Sequence, residues 1–560
     1  MPFFTTNRSS ETNQNVQRTF VDVLYDHTGY LEANGGRLGP AGSLSGRSVA
    51  VVGAGMAGLA AAYLLDQQGA KVTIYEASER AGGRVRSLHP VPGDPAIFEM
   101  GAMRVPPSEQ LFNHYAAQFG IKPYGQFPDP GKVNTGIIFQ NKTYDWAAGL
   151  KAPAIFDNVS AGWDALAGYW MQHVGNNLAD PARFPVAQDN WQSLIYPSTP
   201  AGPEQGYSQI SFYQGLVQAF VENPGRWNTK QWTAQDFALF GALGLGSGGF
   251  GPLYQVNFAE IARLVVNGLE TDQQFYPSGL GGIADGFVQR LRNSQIQFRT
   301  KVTGVAQTGD RPTVTFQPPS TTGPEQARFD AVVVATTTRA MEVDMGISSS
   351  PEWLLPSATG TALREIHLMN SSKLFVLTKK KFWKGTDLPQ NIQTDGLCRG
   401  LYCLDYPDSD YGVVLISYSW GDDSTKYIAL RNARQRLDTL LDSLTPGSPQ
   451  FVRALREQIV PEKTTMIDWQ MEQQYYGAFK LNYPGQDTEN ANLYHQFLDR
   501  SPAGIYLAGD SVGWCGGWIE GALQTGVNAA AAVAQRVAGQ GGLFPNNPMT
   551  QASDRYSYGP

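Results

Sequence analysis

Between Ser48 and Leu65 the chain carries no charged residue, an 18-position run long enough to suggest a membrane span. Its internal pattern points elsewhere. "VAVV" (Val49 to Val52) is a short β-branched run that stops at Gly53, as a buried parallel strand does on entering a tight turn. An alanine- and leucine-rich helical pattern follows to Gln68 and closes at Gly69. A second strand pattern, "KVTIY" (Lys71 to Tyr75), ends at Glu76. Strand, glycine turn, helix, strand and terminal acid make one βαβ unit of about 30 residues, the context in which Gly-x-Gly-x-x-Gly binds a dinucleotide. Gly53 permits the sharp turn, Gly55 lets backbone N–H groups approach a pyrophosphate beside Ala57, and Gly58 allows close helix–strand packing. Glu76 is placed to take ribose hydroxyls. A membrane helix would be weakened by these glycines and needs no carboxylate about twenty residues on.

Further apolar runs extend the pattern. "FDAVVVATT" (Phe329 to Thr337) predicts another buried strand, and "LFVLT" (Leu374 to Thr378) predicts one that begins next to Lys373. "GIYLAGD" (Gly504 to Asp510) is a strand ending in Gly-Asp, followed by a Gly-Gly-Trp turn and an alanine-rich helix to Val537. The first twenty residues lack the apolar core of a secretory signal, and the tail from Gly539 onward, rich in Gly, Pro, Asn and Ser, reads as a surface segment or frayed end.

At 560 residues the chain exceeds one ordinary core and predicts several lobes. Hydrophobic residues at 42% suffice for packed interiors, and 12 Trp with 25 Tyr suit pockets with partly polar walls. A net charge of -7, with no basic run longer than "KKK" (Lys379 to Lys381), argues against nucleic acid. Three cysteines, Cys398, Cys403 and Cys515, indicate no disulfide framework and favour a reducing, cytoplasmic setting. Six scattered His show no metal-site spacing, so no metal is expected.

After Glu76 comes "ASERAGGRVRS", in which Gly82, Gly83 and Arg84 form a Gly-Gly-Arg turn. Together with the Gly-Asp and Gly-Gly-Trp block, this resembles the flavin amine oxidase family, and the matching stretches run from Val49 to Val537. The resemblance implies FAD, a homodimer and a two-domain α/β fold, with a Rossmann-like FAD-binding domain and a mixed sheet/helical substrate-binding domain. It implies that Gly83 and Arg84 meet the phosphates and ribityl chain, and that Gly509 and Asp510 meet the ribityl or phosphate end. Gly517, Trp518 and Ile519 would face the pyrimidine edge, Val302 the adenine, and Met103 and Arg104 the flavin surroundings. A strand valine such as Val302 is also ordinary core, and Glu520 is expected only to help start its helix. The domains are expected at 40–110, 265–340 and 490–540 for FAD and at 111–264 and 341–489 for substrate, with an N-terminal segment 1–39 and a tail 541–560.

"FEMGAMRVPPS" (Phe98 to Ser108) narrows the resemblance to the L-amino-acid oxidase and monooxygenase branch, in which the arginine matching Arg104 holds the substrate carboxylate. A planar guanidinium fork suits that task; a surface ion pair is the plain alternative. Lys373 of "NSSKLF" matches the lysine that holds a water beside flavin N5. Tyr418, Trp420, Trp469, Tyr476, Phe479 and Trp518 form an aromatic cluster. Among these, Tyr418 is assigned to the substrate carboxylate, Phe479 and Trp469 to the side chain and Trp518 to closing the cage, although large rings are also common core residues. Lysine-acting relatives carry an acid after a similar Gly-Gly-aromatic step, where this chain has Gly251-Pro252-Leu253-Tyr254, so Leu253 favours an apolar or aromatic amino acid.

The implied reaction is hydride transfer from Cα to flavin, then reaction with O2. A retained imino acid is decarboxylated to the amide, the preferred outcome. A released one hydrolyses to the 2-oxo acid and ammonia with hydrogen peroxide. A non-catalytic flavin-binding protein is the remote alternative, and an NAD-linked dehydrogenase would have no use for the Gly-Gly-Arg and Gly-Asp motifs. Purified protein should be yellow and should bleach when L-Trp or L-Phe is added without oxygen; a colourless protein that responds to NAD would refute this assignment.

Overall fold

Ser48–Val52 is the middle strand of a five-stranded parallel sheet in the computed structural model, which describes residues 19–196, 206–243, 249–349, 354–498, 503–545 and 547–549. Residues 1–18 of the expected N-terminal segment, positions 244–248 of the glycine-rich stretch and the tail from 550 lie outside the described residues. The strand order is Ile505–Leu507, Ala331–Val334, Ser48–Val52, Lys71–Tyr75 and Gln295–Gln297. Every neighbouring pair is parallel, with Val49 opposite both Ala331 and Val72. Such a sheet is covered on both faces, which explains why its strands are unbroken apolar runs.

The helix Met56–Gln67 connects the first two strands. It is buried from Met56 to Asp66, because the helix Ile519–Ala538 packs along it. That is the physical origin of the uncharged run: a helix apolar all round lies in the core of a large protein. Among the described residues no helix is long and apolar enough to cross a membrane. Small residues bring the two helices together. A Cβ on Gly526 would sit 2.4 Å from the Ala57 carbonyl oxygen, and one on Gly58 would sit 2.0 Å from that of Gly53.

A seven-stranded sheet forms the second layer system, in the order Ile459–Asp468, Ser371–Thr378, Gly412–Trp420, Gly400–Leu404, Asn391–Thr394, Thr135–Phe139 and Lys142–Trp146. All its pairings are antiparallel except Asn391–Thr394 with Thr135–Phe139. Ser371–Thr378 is buried at every position and sets Lys373 opposite Tyr418. Helices between Asp157 and Val266 pack around an aromatic core in which Phe240 stacks on Phe250 at 4.3 Å and Trp163 meets both.

One chain end departs from expectation. The described part of the tail beyond Gly539 is docked: Gln68 Nε2 donates to the Gly542 carbonyl at 2.6 Å, Phe544 N–H donates to Leu38 O, and Met549 is buried. Near the other end, Asp22 reaches the core and pairs with Arg263 at 2.8 Å; Arg263 also pairs with Asp487 at 2.9 Å. Apolar residues among the polar ones anchor these segments, which composition alone conceals.

Replacing Gly526 by Val should destabilise the protein by about 1–3 kcal/mol through forced separation of the two helices. Gly541→Ala, with nothing within 4 Å of the new carbon, should leave the thermal midpoint unchanged. Equal midpoints for the two variants would contradict this account of the contact.

Candidate active site

At the C-terminal end of the parallel sheet the chain turns at Gly53 with φ +98°, where a Cβ would lie 2.8 Å from the Ala335 carbonyl oxygen. The helix that follows has Gly55 as its N-cap and no side-chain cap, so its first N–H groups remain available to an anion. Gly82 and Gly83 both have positive φ, and Gly83 approaches Gly55 so closely that a Cβ would lie 3.1 Å from the Gly55 Cα. Backbone packs on backbone here, and Gly82 N–H donates to Ala54 O at 2.8 Å. Glu76 is fixed at the sheet edge by accepting from Ala54 N–H at 2.7 Å and Ser78 N–H at 2.8 Å.

These residues open into one long cleft. Gly53, Gly55, Ala57, Glu76, Gly83, Arg84, Val302, Gly509, Asp510, Lys373, Tyr418, Trp469, Phe479, Gly517, Trp518 and Ile519 all line it, and the end that Tyr418, Phe479, Gly517, Trp518 and Ile519 share with a second cavity is its inner end. Gly58 stands behind the wall in the helix–strand contact. Arg84 Nη1 pairs with Asp510 Oδ2 at 2.9 Å and donates to Ala478 O at 2.7 Å. The other Asp510 oxygen accepts from Gly517 N–H at 2.7 Å, so this acid braces the Gly-Gly-Trp turn. An uncapped helix N-terminus, an acid at the C-terminal end of the second strand and a glycine-lined channel match the needs of a dinucleotide such as FAD.

Beyond the cleft lies a smaller chamber that shares Gly101, Ala102, Tyr418, Phe479, Gly517, Trp518 and Ile519 with it. Its other walls are Met103, Arg104, Glu109, Leu253, Leu264, Glu270, Trp420, Leu481 and Gly516. Expected at the cofactor, Met103 and Arg104 line this chamber and not the cleft. The chain passes at Gly101 so close to Arg84 O that a Cβ would lie 1.7 Å away, and the residues after Gly101 continue beyond the cleft.

Arg104 is 8% exposed, with Asp129 at 3.8 Å, Glu270 at 3.9 Å and the Phe127 ring at 5.8 Å. The Val105–Gln274 backbone pairing brings the Glu270 stretch alongside. Burial alone would lower the Arg104 pKa, but Glu270, Tyr402, Asp129 and Tyr418 outweigh it and hold the guanidinium above its ordinary range. Burial pushes Glu270 up to about 7 and Asp129 to about 6.

Lys373 Nζ donates to Glu99 O at 3.0 Å and to Gly101 O, and lies 4.6 Å from the Tyr418 ring centre. Burial lowers its pKa to about 7, with Arg104 adding to the effect and Glu99 opposing it. Near neutral pH part of the population therefore carries a neutral amine at the inner end of the cleft.

Of the expected aromatic cluster, Tyr418, Trp420, Trp469, Phe479 and Trp518 line the cleft or the chamber, whereas Tyr476 lines neither and donates its hydroxyl to Asp344 at 2.7 Å. Tyr418, Trp420 and Phe479 meet edge to face, with centroids at 5.4 and 5.3 Å. Trp469 lines the cleft only, and its indole N–H donates to Met100 O at 3.0 Å. The short turn after Asp468 carries Trp469 toward Met100, and Trp420 stands in the chamber wall instead. The signal was available: Tyr418 and Trp420 are two apart on one strand and share a face.

Leu253 is a chamber wall, yet two acids also line the chamber. Glu270 has no motif around it. Glu109, just beyond the Gly-Ala-Met-Arg signature, is the N-cap of the helix Gln110–Phe119. Its Oε2 accepts from Glu520 N–H at 2.9 Å, while Glu520 accepts from Leu111 and Phe112 N–H, both at 3.1 Å. Glu520, expected only to start its own helix, therefore caps its neighbour, and each helix start holds the other's carboxyl group. Burial raises Glu520 to about 7; burial and then Glu520 raise Glu109 well above the carboxylate range.

Comparisons with known proteins agree with this arrangement. The profile of the family described as flavin containing amine oxidoreductase matches residues 56–534. The tryptophan 2-monooxygenase of Pseudomonas savastanoi is 37% identical, the alignment covering 96% of this chain and 98% of that protein. The tryptophan 2-monooxygenase of Pantoea agglomerans pv. gypsophilae is also 37% identical, with the same coverage of 96% and 98%. Cyclohexylamine oxidase from Brevibacterium oxydans shares the fold at a TM-score of 0.64 and 15% identity, over 87% of this chain and 99% of that one.

Because folding raises the Glu520 pKa from 4.5 to about 7, this group takes up a proton on folding between those values. Its stabilising contribution is present at low pH and fades as pH rises through that window, by up to about 1.4 kcal/mol per pH unit. Glu520→Gln should flatten the decline of the thermal midpoint with pH there. An unchanged slope would show that the carboxyl is ionised in the fold.

Proposed function

Since the chain belongs to the flavin containing amine oxidoreductase family, we propose that it is an FAD-dependent L-amino acid 2-monooxygenase acting on an aromatic substrate, L-Trp or L-Phe. One observation carries this reading: a buried guanidinium, Arg104, stands in an otherwise largely apolar chamber that shares walls with the inner end of the FAD cleft. A carboxylate on Arg104 directs the rest of an amino acid toward Tyr418, Trp420 and Phe479, and Leu253 and Leu264 suit an apolar side chain. The two tryptophan 2-monooxygenases at 37% identity support this substrate class.

Bound FAD supplies the oxidant for Cα–H cleavage and passes the electrons to O2. The chain's own residues orient and enclose. Arg104 fixes the carboxylate, the aromatic walls hold Cα near the cleft, and burial excludes water. We assign Lys373 to the oxygen step, because its partly neutral amine lies at the inner end of the cleft. Retention of the imino acid in the closed chamber then favours decarboxylation to the amide over release and hydrolysis. In this reading the ranges 40–110, 265–340 and 490–540 serve FAD, and 111–264 with 341–489 serve the substrate. Three buried, unbonded cysteines support a cytoplasmic setting, and the homodimer follows the family resemblance.

Product analysis decides between the outcomes. With L-Trp or L-Phe in air, the amide one carbon shorter should appear with CO2; 2-oxo acid with stoichiometric peroxide and no amide would make the protein an oxidase. Arg104→Lys should lower kcat/KM by roughly 10- to 100-fold, the loss of one charge-assisted hydrogen bond from the planar fork. An unaltered kcat/KM would remove Arg104 from the carboxylate site.

A further inference from the structure

We propose that Glu270 accepts the proton of the substrate's α-ammonium group, so that Arg104 and Glu270 together bind a zwitterion and deliver it as the neutral amine. The inference rests on the amino-acid reading of the chamber and assigns a proton acceptor that the sequence motifs do not contain.

Charge balance around Arg104 is the starting point. Glu270 at 3.9 Å and Asp129 at 3.8 Å share this buried guanidinium, and Glu270 alone of the two acids also lines the chamber. Glu270 Oε2 is further held by Gln273 Nε2 at 2.9 Å. An arriving substrate carboxylate would be a third anion beside one cation, and in a water-poor site such an excess costs several kcal/mol unless a proton or cation accompanies it. The substrate carries that proton on the nitrogen next to its carboxylate-bearing carbon. Seating the carboxylate on Arg104 brings the ammonium into the surroundings of Glu270.

The step balances without a further reagent. An N–H bond of the ammonium breaks, its electron pair remains on nitrogen, and an O–H bond forms on Glu270. The nitrogen lone pair is then available to support departure of hydride from Cα to FAD, the oxidant of the family reaction.

The groups facing Glu270 are consistent with this role. Arg104 and Asp129 come from two loops and Gln273 from its own stretch, while Tyr418 belongs to the seven-stranded sheet. Asp272, two positions on from Glu270, is paired with Lys132 at 3.1 Å. Burial brings Glu270 to about 7, where a carboxyl exchanges protons readily at neutral pH. Glu109 is the competitor, since it lines the same chamber and its Oε1 has no hydrogen-bond partner. Its other oxygen is engaged by the Glu520 N–H, and Glu520 itself suppresses its ionisation.

The test uses the FAD-loaded protein and 3-(indol-3-yl)propanoate, a carboxylate with no α-amine to donate a proton. Calorimetric titration at about pH 8 in buffers of different ionisation enthalpy reads proton uptake directly. Wild type and Glu270→Asp should take up close to one proton per bound ligand and Glu270→Gln almost none, while Glu109→Gln, whatever its affinity, should still take up close to one per bound ligand. In anaerobic flavin reduction near neutral pH, Glu270→Gln should be roughly 100-fold slower and should recover as pH approaches the amine's own range. A residue that merely positions Arg104 would give a deficit independent of pH. Absence of uptake in wild type, equal uptake in Glu270→Gln, or loss in Glu109→Gln instead would overturn the proposal. If the carboxylate binds no better than its amide and Arg104→Lys does not weaken it, the amino-acid reading itself fails, and the proton acceptor with it.

Discussion

A buried positive charge that must be balanced governs the chamber. Arg104 is almost removed from solvent, and a guanidinium cannot shed its proton to escape the cost of burial. The fold therefore brings acids to it from distant parts of the chain, Asp129 before the seven-stranded sheet and Glu270 after the helical region. The pairing of Val105 with Gln274 makes that approach possible. Any anion that enters the chamber must therefore join an existing balance of charge.

The cleft obeys a different constraint, the closeness of backbone to backbone. Gly53, Gly55, Gly58 and Gly83 remove side chains where two turns and a helix start converge, and Gly526 lets the last long helix settle on the first. The two helix starts meeting at Glu109 and Glu520 add a third kind of contact, in which each supplies the other's missing hydrogen-bond acceptor. Since Glu109, Gly517, Trp518 and Ile519 also form chamber walls, this junction ties the shape of the chamber to the packing of the helices Gln110–Phe119 and Ile519–Ala538.

Cleft and chamber meet along a narrow set of residues from Gly101, Tyr418, Phe479 and the turn at Gly517 to Ile519. The two spaces therefore lie side by side, with these residues as common walls. Lys373 stands at this border in the company of backbone carbonyls and the Tyr418 ring, which keeps an ionisable amine in a dry place.

The parallel sheet, its glycine turn and the family were legible in the sequence because they depend on local pattern: β-branched runs, glycines at fixed offsets and an acid at a fixed distance. The uncharged run before Leu65 could be distinguished from a membrane span for the same reason. Side-chain partners obey no local pattern. Glu270 and Asp129 lie 166 and 25 positions from Arg104 and have no signature of their own, so only the tertiary structure joined them. Trp420 in the chamber wall and Trp469 in the cleft, Glu520 as a cap for another helix, and the docking of Gly542 and Phe544 were likewise decided by direction and packing in three dimensions, which a linear order of residues does not encode.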